Sequence, residues 1–201
     1  MTDITRVLTA GFPVWPGDTP FDYRLTWKIA EGSSVNVGKI TTTTHLGTHI
    51  DAPFHYADQG PKLDAISLDV LIGPCRLVDA SETKLIDEAF VKGLGALPER
   101  VLFYTGQPNR WSRFPEEFAA FSAGAARLLA ESGVRLVGTD APSVDPFSSK
   151  GLPAHHALGK SGVAIIEGLA LESVPPGNYQ LVALPLKIEG ADASPVRALL
   201  V

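Results

Sequence analysis

The rhythm of hydrophobic and polar residues changes along this chain, and the changes divide it into elements. Residues 4–9 read as a short strand. Gly11 to Pro20 hold three prolines and two glycines, which sets a loop. Residues 22–30 and 34–44 are β-branched and alternating around Glu31-Gly32-Ser33, the pattern of a hairpin. Its second strand runs into Thr41-Thr42-Thr43-Thr44, and a second loop spans Gly47 to Pro61. Beyond Asp64 the pattern alternates between helix and strand. Residues 65–72 and 86–94 suit short helices, and residues 75–79 and 101–105 suit buried strands. Residues 115–132 carry the strongest helical pattern, with Pro115 and Glu116 at the start and Gly133 after the end. Its apolar positions Phe118, Phe121, Ala125, Leu128 and Leu129 keep helical spacing. Val134 to Thr139 reads as a strand, a short segment surrounds His155, and strands at 163–167, 180–186 and 196–200 follow.

Strands and helices alternating in the middle of the chain imply an α/β fold, with a parallel or mixed sheet covered by helices. The β-rich ends imply antiparallel additions. No repeat or linker divides the chain, so residues 1–201 are expected to form a single domain. Hydrophobic residues make up 45% and charged residues 19%, an ordinary globular balance. A chain of 201 residues buries enough apolar surface to fold without a structural metal, so any metal here is expected to be functional. The formal net charge of −5, with no basic run, argues against a nucleic-acid partner. Cys75 is the single cysteine and sits in an apolar stretch, which suits a core thiol. No apolar run is long enough to span a bilayer, and none near Met1 suggests a signal peptide. A cytoplasmic protein with no membrane partner is expected.

The chemistry concentrates in His45-Leu46-Gly47-Thr48-His49-Ile50-Asp51-Ala52-Pro53-Phe54-His55, which holds three of the five histidines. Histidine and aspartate are good ligands for zinc and similar divalent ions. Gly47 and Pro53 interrupt any helix, so a tight turn after the Thr-rich strand is the better frame for His45 and His49. Asp51 then adds an anionic donor. One short segment could thus supply His45, His49 and Asp51 and leave a coordination position open, the catalytic pattern. Spacing alone leaves His55 either a ligand or a proton carrier. His155 and His156 taken alone suit a solvated pair as well as a site. Glu167 is more telling, because it follows the apolar run Val163-Ala164-Ile165-Ile166, and carboxylates are rarely buried unless paired or metal-bound. No Gly-x-Ser-x-Gly elbow, P-loop or dinucleotide fingerprint is present.

His-x-Gly-Thr-His-x-Asp-x-Pro-x-His resembles the signature of the cyclase-like metal hydrolases, the family that includes the bacterial kynurenine formamidases. Trp15-Pro16-Gly17-Asp18 resembles that family's aromatic-Pro-Gly-Asp loop. Gly138-Thr139-Asp140-Ala141-Pro142-Ser143-Val144-Asp145 resembles its Gly-x-Asp-x-x-Ser-x-Asp segment. His155 and Glu167 resemble its distal pair, and His155 rather than His156 keeps the spacing. The resemblance covers nearly the whole chain. It implies a β-rich mixed sheet with flanking helices, of the swivelling β/α/β type, in a homodimer or larger assembly with sites near subunit contacts. It implies that His45, His49 and Asp51 bind one metal, and that Asp51 bridges to a second metal held by His155 and Glu167. His55 would be the proton donor and acceptor, and Trp15 would line the substrate pocket.

The short chain and the Trp-Pro-Gly-Asp loop resemble the formamidase branch most. The implied reaction is hydrolysis of N-formyl-L-kynurenine to L-kynurenine and formate in tryptophan catabolism. Two zinc ions per subunit are expected, with manganese and cobalt compatible with the same donors. Two other readings stay open on the residues: a relative acting on a cyclic amide or imide, and a metal-binding domain without catalysis.

Overall fold

The computed structural model describes residues 1–201. In chain order the strands are β1 (Thr2–Asp3), β2 (Asp22–Trp27), β3 (Val37–Thr41), β4 (His49–Asp51), β5 (Ile72–Asp79), β6 (Leu85–Ile86), β7 (Arg100–Tyr104), β8 (Ala120–Phe121), β9 (Leu136–Thr139), β10 (Ala164–Glu167), β11 (Gly177–Pro185) and β12 (Ala193–Leu200). The α-helices are α1 (Glu88–Gly93), α2 (Ala123–Glu131) and α3 (Pro153–Lys160).

The main sheet runs β1-β12-β11-β5-β7-β9-β10-β4, and β4 also pairs with β12. That last pairing closes seven strands into a barrel, with β1 attached to the far end of β12. The mixed α/β character expected from the sequence is present, but the open swivelling β/α/β sheet is not. Its replacement has a simple cause. Three-residue β4 is antiparallel to β10 on one side and to β12 on the other, so the two ends of the sheet are joined. Closure removes exposed strand edges. Strands β5, β7, β9 and β10 are mutually parallel, and the remaining barrel pairings are antiparallel.

The parallel strands are apolar on both faces because both faces are covered. Leu77, Leu102, Leu136 and Ile166 point into the barrel core, together with Ile50, Leu181 and Ala198. Val78, Val101, Phe103, Val137 and Ile165 point outward and pack on residues of the three helices, including Val91, Leu129 and Leu158. Cys75 is buried in the barrel core. No helix is long and apolar enough to cross a membrane.

Three local expectations are corrected. The helix expected over 115–132 is confined to α2. Residues 120–121 form β8 against β6, Phe121 N–H bonds to Val144 O at 2.8 Å, and Ser122 caps the helix by accepting from Ala125 N–H. The segment 65–72 forms two single 3-10 turns, 63–65 and 68–70, rather than a helix. Residues 4–9 are not a strand: Ile4 bonds to Ala198 and Ala170, but Arg6 N–H turns to the Thr48 side chain. The hairpin expected near 22–44 is present as β2 and β3, and these pair only with each other. Tyr23, Trp27 and Ile40 on that ribbon are exposed.

Candidate metal centre

Between β3 and β4 the chain turns at Gly47, whose φ of 58° is left-handed. Thr48 then ties three segments together. Its hydroxyl donates to Gly168 O at 2.6 Å and accepts from Arg6 N–H at 2.9 Å. Gly168, at φ 64°, follows Glu167, and a Cβ there would lie 2.1 Å from Gly47 O. Two glycines therefore allow the turns carrying His49 and Glu167 to touch.

Strand alternation does the next part. Ile50 enters the barrel core, so His49 and Asp51 project together on the outer face of β4. On β10, Glu167 sits directly opposite His49 and Ile165 opposite Asp51. His155 arrives from α3. That helix starts after Leu152, which holds φ 41°, and Asp145 caps it. Asp145 Oδ1 accepts from Ala154 N–H at 3.0 Å, and Oδ2 accepts from His155 N–H at 3.0 Å.

The donors converge on Asp51. Its Oδ1 lies 3.1 Å from His45 Nδ1 and 3.3 Å from His49 Nε2, and its Oδ2 lies 3.4 Å from His155 Nε2. Glu167 lies 3.3 Å from His155 Nε2 and 3.6 Å from His49 Nε2, and also accepts from Val144 N–H at 2.8 Å. His45, His49 and His155 each have the other ring nitrogen engaged by an acceptor. His45 Nε2–H donates to Asp192 at 3.1 Å, His49 Nδ1–H to Gly47 O at 3.1 Å, and His155 Nδ1–H to Asp145 at 2.7 Å. Carboxylates and carbonyls can only accept, so His49 Nδ1 carries a proton, while His45 and His155, with carboxylates at both ring nitrogens, hold a proton on each until a cation displaces one. Once that proton is displaced, the ring nitrogen facing Asp51 offers a lone pair.

Both Asp51 oxygens are buried and have no hydrogen-bond partner of good geometry, despite those three close nitrogens. Lone pairs facing a buried carboxylate repel unless positive charge lies between them. A divalent cation meets that need, and the donor set of imidazole nitrogen and carboxylate oxygen suits one. Two groups have ligand atoms within 4.8 Å of one another: His45, Asp51 and His55, and His49, Asp51 and Glu167. Protons are the competing positive charge. Burial disfavours an imidazolium at His45, but Asp51 and Asp192 hold its pKa up at about 9. His155 is likewise held well above its ordinary value, burial being outweighed by Asp145, Asp51 and Glu167.

The structure brings together all five residues expected to hold metal, and His55 beside them. The His55 ring centroid is 3.9 Å from that of His45 and 6.1 Å from that of His155, and the ring opens onto the cavity. Desolvation pushes its pKa down to about 4, with repulsion from the neighbouring histidines adding to the shift and Asp51 opposing it. His155, not His156, reaches the cluster; the His156 ring packs near Tyr56 instead. A cavity of about 480 Å³ lies over the centre. Trp15, Trp111 and Phe114 form its aromatic wall, with Trp15 centred 5.2 Å from Phe114.

Three neighbours escaped the sequence reading. Asp145 lies in a segment already noted, but its bond to His155 has no local signature. Asp192 is 147 residues from His45. Tyr56 sits 5.3 Å from His155, and burial, together with Asp51 and Glu167, pushes its phenol up.

Comparison with known proteins gives a consistent set of relatives. Residues 2–146 match a family model described as "Putative cyclase". The chain is 50% identical to the kynurenine formamidase of Geobacillus thermodenitrificans, over 98% of this chain and 95% of that one. A solved structure described as a "Potential Metal-Dependent Hydrolase With Cyclase Activity" is 35% identical, with TM-score 0.83, covering 99% of this chain and 96% of that one. Isatin hydrolase A from Labrenzia aggregata is 26% identical, with TM-score 0.87, covering 99% and 92%.

Proposed function

The chain belongs to the cyclase family, alongside kynurenine formamidases and metal-dependent hydrolases, and from that premise we propose that it hydrolyses N-formyl-L-kynurenine to L-kynurenine and formate in tryptophan catabolism. The observation that carries the reading is the buried Asp51 carboxylate, without a well-formed hydrogen bond and faced by ring nitrogens of three histidines beneath an aromatic cavity. In this reading His45, His49 and Asp51 hold one cation. Asp51, His155 and Glu167 would hold a second. We read the metal as zinc, two ions per subunit; manganese and cobalt accept the same donors. When bound, the cations supply Lewis acidity, polarising the formyl carbonyl and lowering the pKa of water toward neutrality.

The chain's own groups do the rest. His55 has a pKa pushed down to about 4 and so stays neutral at pH 7, ready to accept a proton. It takes that proton from the attacking water as the new C–O bond forms. It returns the proton to the arylamine nitrogen as the C–N bond breaks. Asp145 and Asp192 keep His155 and His45 in the tautomers that coordination needs. Trp15, with Trp111 and Phe114, flanks the aromatic ring of the substrate.

We read the whole chain as one catalytic domain in a cytoplasmic homodimer. The unpaired Cys75 suits a reducing compartment. The β2–β3 ribbon, whose strands pair only with each other and whose Tyr23, Trp27 and Ile40 are exposed, suits a contact between subunits. The likeness to isatin hydrolase A favours a second reading, in which the bond opened lies in a cyclic amide. Supplying the metal-loaded protein with N-formyl-L-kynurenine and isatin in parallel separates them. Turnover of the formamide at a kcat/KM well above that for isatin supports the first reading. The reverse order moves the chain to the second.

A further inference from the structure

The cavity is lined by His45, His49, His155 and Glu167 of the metal centre and by the aromatic side chains of Trp15, Trp111 and Phe114. At the turn Trp15-Pro16-Gly17-Asp18 stands the only charged side chain lining the cavity outside the metal cluster and His55: Asp18. No lysine or arginine lines the cavity. The turn is closed by a hydrogen bond from Asp18 N–H to Trp15 O at 2.9 Å, and Gly17 at φ 91° permits it. Asp18 Oδ1 accepts from Thr19 N–H at 2.6 Å. Its other oxygen has no protein partner, and no basic side chain pairs with the group. The same four-residue turn thus lines one cavity with an aromatic ring and a carboxylate, one of whose oxygens has no protein partner.

On the formamidase reading, the formyl group must lie at the metal centre and the arene against Trp15. The amino-acid end then projects toward the turn. That end carries an ammonium and a carboxylate, and the protein group awaiting it is an anion. We propose that Asp18 is the subsite for the substrate's α-ammonium group, and that this cavity selects formylated arylamines bearing a cationic side arm. The substrate's carboxylate has no cationic partner in this chain's cavity, so its removal matters less than removal of the amine.

The test is steady-state kinetics of the metal-loaded protein on three formylated arylamines. One is N-formyl-L-kynurenine. The second keeps the side-chain amine but lacks the carboxylate, and the third keeps the carboxylate but lacks the amine. Wild type should prefer both amine-bearing compounds through KM. Asp18→Asn should shrink the preference over the amine-free compound by about fivefold, the scale of a partly exposed ion pair. Asp18→Lys should invert it toward the carboxylate compound. Equal kcat/KM for the second and third compounds in wild type overturns the proposal. So does a preference unchanged in Asp18→Asn, or a uniform fall in kcat on all three, which would mark the turn as merely structural. Failure of wild type to release formate from any of them removes the formamidase reading itself, and the proposal with it.

Discussion

Asp145 carries two duties, and substitution separates them. It caps α3 through two backbone N–H groups, and it receives the His155 Nδ1 proton at 2.7 Å. Asp145→Ala removes both. The cap contributes about 0.5–2 kcal/mol, and a charge-assisted hydrogen bond contributes about 1.5–3 kcal/mol. The metal-free protein should therefore lose about 2–5 kcal/mol, or roughly 5–15 °C in Tm for a chain of this size. Asp145→Asn keeps one oxygen to accept from the helix start but no longer offers an anion to His155, so its Tm should fall about half as far. Both variants free the His155 tautomer, and metal affinity should drop roughly 10- to 100-fold in each. The pH dependence has a definite sign. Burial raises the Asp145 pKa, but His155 and the backbone N–H groups prevail and hold it below its ordinary value. Its contribution is thus present above the ordinary carboxylate range and is lost as pH falls through the depressed value. Thermal melts of chelated protein and competition with a chromophoric chelator read the two effects separately. Asp145→Asn binding metal as tightly as wild type would refute the positioning argument, even if Asp145→Ala were unstable.

Replacing His55 by Ala should lower kcat by roughly 10²–10⁴ while metal content stays constant; metal lost in step with activity would make His55 a ligand. Metal binding should release protons at pH 7, because His45, with a pKa held up at about 9 against burial by Asp51 and Asp192, must surrender its proton. Affinity should keep rising toward pH 9, whereas the His45 contribution to metal-free stability, full below the unfolded value, is lost as pH rises through about 9. Calorimetric titration in two buffers of different ionisation heat measures that release, and none at pH 7 would contradict the raised His45 pKa. Gly168→Ala should sharply reduce Tm, since a Cβ at φ 64° would press on the Gly47 carbonyl; a Tm within a degree of wild type would contradict the close contact of the two turns.

The part of the site that is local in sequence was legible. His45, His49 and Asp51 lie within seven residues, but the sequence pattern reads as a loop from Gly47 to Pro61, and the strand β4 that puts His49 and Asp51 on one face is seen only in the structure. Glu167 showed itself as a charge ending an apolar strand. Non-local pairing stayed hidden. Barrel closure depends on β4, three residues long, bonding at once to strands more than a hundred residues away. Asp192 reaches His45 only because Ala193 opposite Asp51 brings the end of a loop to the centre. The long helix failed for another reason. Phe118 and Phe121 keep helical spacing, but Ser122 offers a better start, and Phe121 is taken into β8.

Formate release from N-formyl-L-kynurenine, measured with metal content per chain before chelation, after it and after zinc restoration, decides whether the chain is a metal-dependent formamidase. Turnover should disappear with the metal and return as zinc is restored toward two ions per chain. Undiminished turnover by metal-free protein, or zinc bound in full with no formate released, would contradict that reading.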